Sequence, residues 1–412
     1  MKNRHPELLI PASSLEVLKT AVMFGADAVY IGGEAFGLRA KAKNFSMKDM
    51  KEGVQFAHEH GARVHVTVNI LAHNDDLEGA AEYLKELKEI GPDALIIADP
   101  AIFMLAKEIC PEIERHVSTQ ANNTNYGTFN FWWNLGAKRV VTARELSLKE
   151  IREIRAHIPA EMEIESFIHG AMCISYSGRC LLSNFFTGRD ANQGACTHPC
   201  RWKYSVVEET RPGEYMPVYE NERGTYIFNS KDLCMIEHIP EMIDAGIDSF
   251  KIEGRMKTAL YVATVARTYR KAIDDYLEDP KKYEANMPWY RDQISNCTYR
   301  QFTTGFYFGK PGDESQIYDS NTYIKEYTYL GIIGGIKDGM YRIEQRNKFS
   351  VGETVEIMKP DGQNVEVTVE KIIDEDGQEQ ESAPHPKQVL YVALSGEASV
   401  YDILRRQEGV TE

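Results

Sequence analysis

Four cysteines stand close together near the middle of this 412-residue sequence. Cys173, Cys180, Cys196 and Cys200 follow the pattern Cys-x6-Cys-x15-Cys-x3-Cys, among Gly, Ser, Asn and Arg residues rather than apolar ones. Four thiolates can bind a tetrahedral zinc ion or a [4Fe–4S] cluster. Structural zinc sites favour two tight pairs with about two to four intervening residues, and only the last two cysteines have that spacing. The pattern therefore predicts a [4Fe–4S] cluster, with zinc as the alternative.

Several other chemistries find little support in the sequence. Radical chemistry on S-adenosylmethionine would need a compact triplet of cysteines, whereas the next cysteine after Cys200 is Cys234. The sequence lacks the Gly-x-Ser-x-Gly elbow of serine hydrolases, and residues 58–60 lack the i, i+4 histidine pair of zinc proteases. A cysteine protease would need a thiolate paired with a histidine, and a cluster would consume the thiolate of Cys173 near His169.

Short β-rich runs alternate with amphipathic helical patterns from Glu7 to about Tyr276. The strand-like runs are ELLIPA, DAVYIGG, RVHVTVN, DALIIAD, RHVSTQ, RVVTARE, EIESFIHG and DSFKIEG. The helical patterns between them, such as LEVLKTAVMFG, end at glycine, which is the usual stop signal. Eight strand–helix units predict an α/β fold, a (β/α)8 TIM-like barrel, with a doubly wound open sheet as the alternative.

The regular spacing breaks after the seventh strand. About 77 residues separate it from DSFKIEG, and this Cys-rich insertion, about residues 171–225, contains all four clustered cysteines. The run TYIFNSKDLCMIEHIPEMIDAG looks like an additional strand and helix, which leaves the strand count open by one. We expect residues 1–312 to contain the barrel, the insertion and a helical connector. After that the hydrophobic period changes to two, which predicts a small all-β barrel domain over residues 313–412.

Polar residues follow or end most of the predicted strands. In a (β/α)8 barrel these ends form the active-site face, and Cys173 comes three residues after the seventh strand. As a set, these side chains offer cations for an anionic substrate and carboxylates for proton transfer. The predicted catalytic residues are Arg144, Glu165, His169 and Lys251. The predicted substrate-binding residues are Arg39, Asn44, Asn69, Gln120, Asn123, Glu145, Glu253 and Arg255.

The net charge of −15 is unevenly distributed. Residues 313–412 carry 10 basic and 20 acidic side chains, whereas the first 312 residues carry 37 and 42. A local basic surface is therefore possible on the first part of the chain, where aromatic and basic residues interleave around the cysteines. Such surfaces suit single-stranded RNA loops, although Phe185, Phe186 and Trp202 could equally pack around a cluster.

The sequence predicts a cytoplasmic protein with no membrane contact. MKNRHPELLIPASS has no apolar run of secretory length, and no stretch reaches the roughly 18 apolar residues of a membrane span. Seven cysteines in that compartment are expected to stay reduced rather than form structural disulfides. The oligomeric state is not evident from the sequence.

Several motifs carry a family resemblance. Glu165, Phe167 and Gly170–Cys173, followed by Ser177–Cys180, resemble the signature of peptidase family U32. The start of the chain, the run NSKDL, DSFKIEGRMK and RQFTTGFYFG extend the resemblance over nearly its whole length. The resemblance implies an iron–sulfur hydroxylation protein, most similar to the branch of the family that hydroxylates tRNA.

The resemblance implies hydroxylation of uridine 34 in the tRNA anticodon loop to 5-hydroxyuridine, with prephenate required. The resemblance also implies that the four cysteines are the ligands of the cluster. Arg39, Arg144, Lys251 or Arg255 would hold the carboxylates of prephenate, a small anionic metabolite, or an RNA phosphate, and Glu165 and His169 would handle protons. The alternatives are a collagenase-like peptidase and a non-catalytic iron–sulfur component of another hydroxylation pathway.

Overall fold

The computed structural model describes residues 5–36, 44–173, 176, 180–187, 189, 196–197, 199, 205–207, 215–217, 229–297, 301–311, 316–317 and 327–408. The chain divides into two compact units. The first comprises residues 1–22, 26–257 and 300–322, and the second comprises residues 23–25, 258–299 and 323–412. Residues 258–299, predicted as part of the helical connector after the barrel, group with the second unit. The predicted domain boundary near residue 312 stays a prediction.

The first unit alternates strands and helices. Its strands are β1 (Glu7–Pro11), β2 (Ala28–Gly32), β3 (Arg63–Val68), β4 (Ala94–Ile97), β5 (Glu114–Val117), β6 (Arg139–Val141), β7 (Glu163–Gly170), β8 (Ser205–Val207), β9 (Tyr215–Pro217), β10 (Asn229–Ser230), β11 (Asp232–Cys234), β12 (Ser249–Ile252), β13 (Phe302–Thr303) and β14 (Gln316–Ile317). Its helices are α1 (Leu15–Met23), α2 (Met47–Glu59), α3 (Asp76–Ile90), α4 (Pro100–Ile109), α5 (Tyr126–Leu135), α6 (Leu148–Ala156), α7 (Leu182–Thr187) and α8 (Ile239–Asp244), with a 3-10 turn at Thr119–Ala121.

Eight parallel strands form a closed barrel. They run in the order β12-β1-β2-β3-β4-β5-β6-β7, and β12 pairs with β7 to close the ring. The predicted (β/α)8 barrel is therefore confirmed and the open sheet is excluded. The two-residue period of the strands explains the packing, since in β3 Val64 and Val66 point outward towards the helices while His65 and Thr67 point into the barrel.

The additional strand–helix run in the insertion does not change the barrel. It forms β10, β11 and α8, but β11 pairs antiparallel with the end of β7 and so lies outside the parallel ring. The barrel therefore keeps the eight strands that were predicted. Of the four clustered cysteines, Cys200 lies outside the described residues.

Several barrel helices begin or end at residues suited to those positions, and the glycine ends were predicted from the sequence. Ser147 and Glu150 form a reciprocal capping box at the start of α6, which satisfies backbone groups that the first turn leaves unpaired. Helices α3 and α5 end at Gly91 and Gly136, both in the left-handed conformation that glycine adopts most easily. The capping box ends the loop that follows β6, whereas the two glycines lead into β4 and β6.

In the part of the second unit that the structure describes there are three helices and seven strands. They are α9 (Ala259–Glu278), α10 (Pro280–Ala285), α11 (Met287–Ser295), β15 (Tyr327–Lys337), β16 (Met340–Gln345), β17 (Thr354–Met358), β18 (Asn364–Asp374), β19 (Glu379–Gln380), β20 (Val389–Leu394) and β21 (Ile403–Gln407). Six strands form a closed antiparallel barrel in the order β17-β21-β15-β16-β20-β18, in which β17 also pairs with β18. The short strand β19 pairs antiparallel with β18. Buried residues such as Ile333, Ile357 and Leu404 form its core. The predicted small β-barrel is confirmed.

None of the helices in the described ranges combines the length and the apolar character needed to cross a bilayer.

Candidate active site at the barrel mouth

Four side chains meet where β6, β7 and β12 end. We call Arg144, Phe167, Lys251 and Glu253 the mouth cluster. The Arg144 Nη2 atom lies 3.0 Å from Glu253 Oε2, and its guanidinium lies 3.9 Å from the centre of the Phe167 ring. Arg144 and Glu253 are both partly accessible, with side-chain exposures of 11% and 17%. An anion reaching the mouth could therefore replace Glu253 as the partner of Arg144.

Lys251 lies between two aromatic rings and a carboxylate. Its Nζ atom is 4.5 Å from the centre of the Tyr30 ring and 5.6 Å from the centre of the Phe167 ring. The same atom donates a 2.7 Å hydrogen bond to Glu165 Oε1. Because an ammonium group carries three donors, one bond to Glu165 leaves hydrogen-bonding capacity for a ligand. Lys251 therefore links the mouth cluster to the barrel interior.

Glu165 lies deeper in the barrel than predicted. Its carboxylate is fully buried and accepts hydrogen bonds from Lys251 and, at 3.0 Å, from Arg139 Nη1. Burial alone would raise the pKa of Glu165, but the attraction of Lys251 and Arg139 outweighs burial and lowers it. The carboxylate is therefore ionised and paired, which is a poor state for exchanging protons with a substrate at the mouth.

His169 occupies the mouth end of the same strand. At about 3.3 Å per residue, four residues place it roughly 13 Å along β7 from Glu165, so the two predicted proton-transfer groups do not act on one atom. His169 is buried, and burial together with Lys257 lowers its pKa to about 3. Its ring is therefore neutral at physiological pH.

A chain of polar side chains crosses the ends of β3 and β5. Asn69 Nδ2 donates a 3.4 Å hydrogen bond to Ser118 Oγ, and Ser118 Oγ donates at 3.3 Å to Gln120 Oε1. Within the described residues, the buried Nε2 atom of Gln120 has no partner, which leaves it available to a ligand carbonyl. Asn123 has a different role, since it bonds two backbone carbonyls and accepts from Trp132 Nε1 at 3.0 Å. Asn123 therefore stabilises the loop after β5 and does not offer its amide to a substrate.

Arg255 crosses the ends of β2 and β3. Its Nη1 atom donates a 2.7 Å hydrogen bond to Thr67 Oγ1, and the side chain is mostly buried. A Cβ atom on Gly32 would lie only 2.7 Å from this Nη1 atom. Glycine at position 32 thus leaves the space that Arg255 occupies.

Three further residues were predicted at this face: Glu145, Asn44 and Arg39. Glu145, next to Arg144, is half-buried, and burial raises its pKa. Asn44 lies just beyond the end of β2 and is half-buried. Arg39 lies outside the described residues.

Three of the four predicted cluster ligands lie in the described part of the insertion. Gly170 ends β7 with a positive φ of 105°, and a Cβ atom there would lie 2.4 Å from the Glu253 carbonyl oxygen, so glycine allows the close turn towards Cys173. Cys173 and Cys196 are exposed and Cys180 is half-buried, whereas Cys110 is buried in the core. Thiols presented to solvent beyond a barrel strand are suitable donors for a [4Fe–4S] cluster or zinc, so the residues fit such a group.

Several residues of this site could not be recognised directly from the sequence. Phe167, Tyr30 and Thr67 contact the predicted cations, but apolar and hydroxyl residues on strands are ordinary core residues. Strand parity would have found Phe167, because it lies two residues from both Glu165 and His169 and so points into the barrel with them.

Comparison with known proteins gives the family. Residues 13–317 match peptidase family U32, and residues 325–405 match the peptidase family U32 C-terminal domain. The chain belongs to peptidase family U32.

Individual relatives add detail. The tRNA hydroxylation protein P1 of Bacillus subtilis is 43% identical over 405 residues, covering 98% of this chain and 95% of that protein. The tRNA hydroxylation protein P of Escherichia coli is 39% identical over 420 residues, covering 92% of this chain and 91% of that protein. The 23S rRNA 5-hydroxycytidine C2501 synthase of Escherichia coli is 41% identical over 273 residues, covering 66% of this chain but 40% of that protein.

Proposed function

We propose that this chain is an RNA-modifying enzyme that hydroxylates a tRNA base. The observation that carries the proposal is the similarity of this chain to two proteins named for tRNA hydroxylation. In each comparison the similarity covers more than nine tenths of this chain and of the relative. The mouth cluster supports it, because cations beside an aromatic ring suit a nucleotide and a small anion. The specific reaction we propose is conversion of uridine 34 in the anticodon loop to 5-hydroxyuridine, with prephenate as co-substrate.

The anticodon loop would present a single base to the barrel mouth. Turning out a base from a loop costs less than from a duplex, because it is already partly unstacked. Arg144 would exchange Glu253 for an RNA phosphate or a carboxylate of prephenate, while Lys251 and Arg255 add positive charge nearby. The Nε2 atom of Gln120 would donate to a carbonyl oxygen of the base.

Proton transfer needs a group near the mouth that can change its protonation state. Glu165 is ionised within a buried ion network, and the neutral His169 binds a proton poorly at pH 7. Glu145 follows Arg144 directly in the sequence, and burial raises the pKa of its carboxyl group. We propose that Glu145 takes part in proton transfer and that His169 forms a hydrogen bond to the substrate.

The insertion would hold the cofactor beside this site. Cys173, Cys180 and Cys196, together with Cys200, are the proposed ligands of a [4Fe–4S] cluster. Such a cluster supplies one-electron redox chemistry when bound. The protein residues bind and orient the base and the anion next to it.

Nucleoside mass spectrometry of tRNA tests the proposal. A deletion strain would be complemented with the wild-type chain, with Cys196→Ser, or with Cys234→Ser as a matched control outside the four-cysteine set. We expect 5-hydroxyuridine and its derivatives to disappear on deletion and to return with the wild type and the control but not with Cys196→Ser. An unchanged nucleoside profile on deletion would refute the tRNA assignment, and peptide cleavage by the pure protein would then favour a peptidase.

A further inference from the structure

A second group of potential ligands lies inside the barrel, below the mouth cluster. His65 on β3, His116 on β5 and Glu165 on β7 each bring a ligand atom to within 4.8 Å of those of the other two. All three side chains are fully buried, and the two imidazole rings meet edge to face with their centres 4.8 Å apart. Strands β3, β5 and β7 are not neighbours, so these side chains meet in the barrel interior.

The hydrogen bonding of the two histidines is incomplete. Within the described part of the chain, neither ring nitrogen of His65 has a partner, and Nδ1 of His116 has none either. A buried polar atom without a partner costs about 1–3 kcal/mol, so three in one place call for a bound group. Burial lowers the pKa of both histidines well below the ordinary value, so each neutral ring has a nitrogen lone pair to offer.

The surrounding contacts resemble the outer shell of a metal site. Metal-binding histidines usually direct the ring nitrogen that does not bind the metal towards a carboxylate, and His116 Nε2 lies 3.1 Å from Glu114 Oε2. Ligating carboxylates are in turn hydrogen-bonded, and Glu165 accepts from Arg139, Lys251 and, at 3.3 Å, Ser249. Each carboxylate oxygen has two lone pairs, so these bonds leave room for a metal bond.

We propose that His65, His116 and Glu165 bind a divalent first-row transition ion, zinc or ferrous iron, in the barrel interior. Two imidazoles and a carboxylate are a common ligand set for these ions. This site is distinct from the cysteines of the insertion and does not depend on the proposed function. It would join three non-adjacent strands below the mouth.

The test uses the full-length, cluster-loaded protein, purified without oxygen, with Co(II) as probe. We expect about one bound Co(II) per chain with visible bands of nitrogen and oxygen coordination and without thiolate charge-transfer bands. His65→Leu should lose this Co(II), whereas His157→Leu, which changes an exposed histidine, should retain it. Glu114→Gln, which leaves all three ligands in place, should weaken binding by about 10- to 100-fold.

Two results would overturn the proposal. One is that the wild-type protein binds no Co(II) with these bands, which would mean that water occupies the site. This result does not depend on the folding of any variant. The other is equal binding by His65→Leu. Elemental analysis of the Cys196→Ser variant, which should contain less iron from the cluster, distinguishes zinc from iron as the metal bound at the barrel site. A rise in the thermal midpoint of the parent, but not of His65→Leu, on adding Zn(II) provides a second readout.

Discussion

Two arginines on and just after the same barrel strand have contrasting surroundings. Arg139, in the barrel interior, is 2% exposed and bonds to Glu7, Glu163 and Glu165. Arg144, at the mouth, is 11% exposed and pairs with Glu253. It also stacks on the Phe167 ring.

The difference separates a structural network from an exchangeable one. The Arg139 guanidinium is itself buried and bonds to three carboxylates, so a ligand anion would have to displace several ion pairs to bind it. Glu253 is partly accessible, so a substrate anion can compete with it for Arg144. The buried network therefore fixes the strands, and the mouth pair binds ligands.

The largest effect is expected from Arg139→Met. This change leaves Glu7 and Glu165 buried with one cation fewer, and breaking a buried pair in this way typically costs about 3–5 kcal/mol. Urea unfolding should show this decrease in the free energy of unfolding. A loss below about 1 kcal/mol would show that the interior network does not hold the fold.

Arg144→Ala should have the opposite profile. We expect tRNA hydroxylation to fall by about 10- to 100-fold, as for the loss of a charge-assisted hydrogen bond worth about 1.5–3 kcal/mol, with stability changed by about 1 kcal/mol or less. Nucleoside mass spectrometry at matched protein levels measures the first effect, and urea unfolding the second.

Arg155→Ala is the matched control for that experiment. Arg155 forms an ion pair of nearly equal length, 3.1 Å, with Asp248, and both side chains have similar exposure, but the pair lies away from the mouth. Modification should persist in this variant. Equal losses in both variants would remove the distinction between the mouth pair and an ordinary ion pair.

A smaller effect concerns the pH dependence of stability. The folded pKa of His169 is about 3 and its ordinary value is 6.5, so the unfolded chain takes up this proton first as the pH falls. The stabilising contribution is complete above about pH 6.5 and is lost as the pH falls towards 3. His169→Gln should therefore reduce the slope of unfolding free energy against pH by about 1.4 kcal/mol per pH unit between about pH 6 and 4.

The control for this prediction is His157→Gln, because this histidine is exposed. Its slope should match that of the wild type. An unchanged slope in His169→Gln would show that the ring of His169 is accessible to solvent.

The smallest effect is expected from Gly32→Ala. The added methyl group would lie 2.7 Å from Arg255 Nη1, so the guanidinium must shift away from Thr67. Because a long side chain can move, stability should change by less than about 1 kcal/mol, while modification should fall measurably. Gly335→Ala is a control, because Gly335 does not have a positive φ and the added Cβ would lie 4.0 Å from its nearest neighbour, Arg342 Cβ. Full modification by Gly32→Ala would show that the position of Arg255 is not critical.

Much of this fold could be predicted from the sequence. The first barrel could be predicted from the eight strand-like runs and from the helical patterns that end at glycine. The second barrel could be predicted from the change of the hydrophobic period to two. The position of α9–α11 could not be predicted, because an amphipathic helix shows that it has a partner but not which one.

The site was less predictable from sequence than the fold. Arg144, Lys251 and Glu253 come together because strand ends of a parallel barrel converge. Glu165 was expected at the mouth, but the register of β7 places it among Arg139 and Lys251. The pairing of His65 with His116 depends on which side chains face each other across the barrel, and single strands do not contain that information.

The most direct test of the central claim is to locate the modified base on the protein. An anticodon stem-loop with 4-thiouridine at position 34 would be cross-linked by light to the full-length chain, and the attached peptides mapped by mass spectrometry. We predict cross-links to the strand ends that carry Arg144, Phe167 and Lys251. Cross-links confined to residues 327–408, or none above those of a stem-loop with 4-thiouridine in its stem, would contradict the assignment of the barrel mouth as the RNA site.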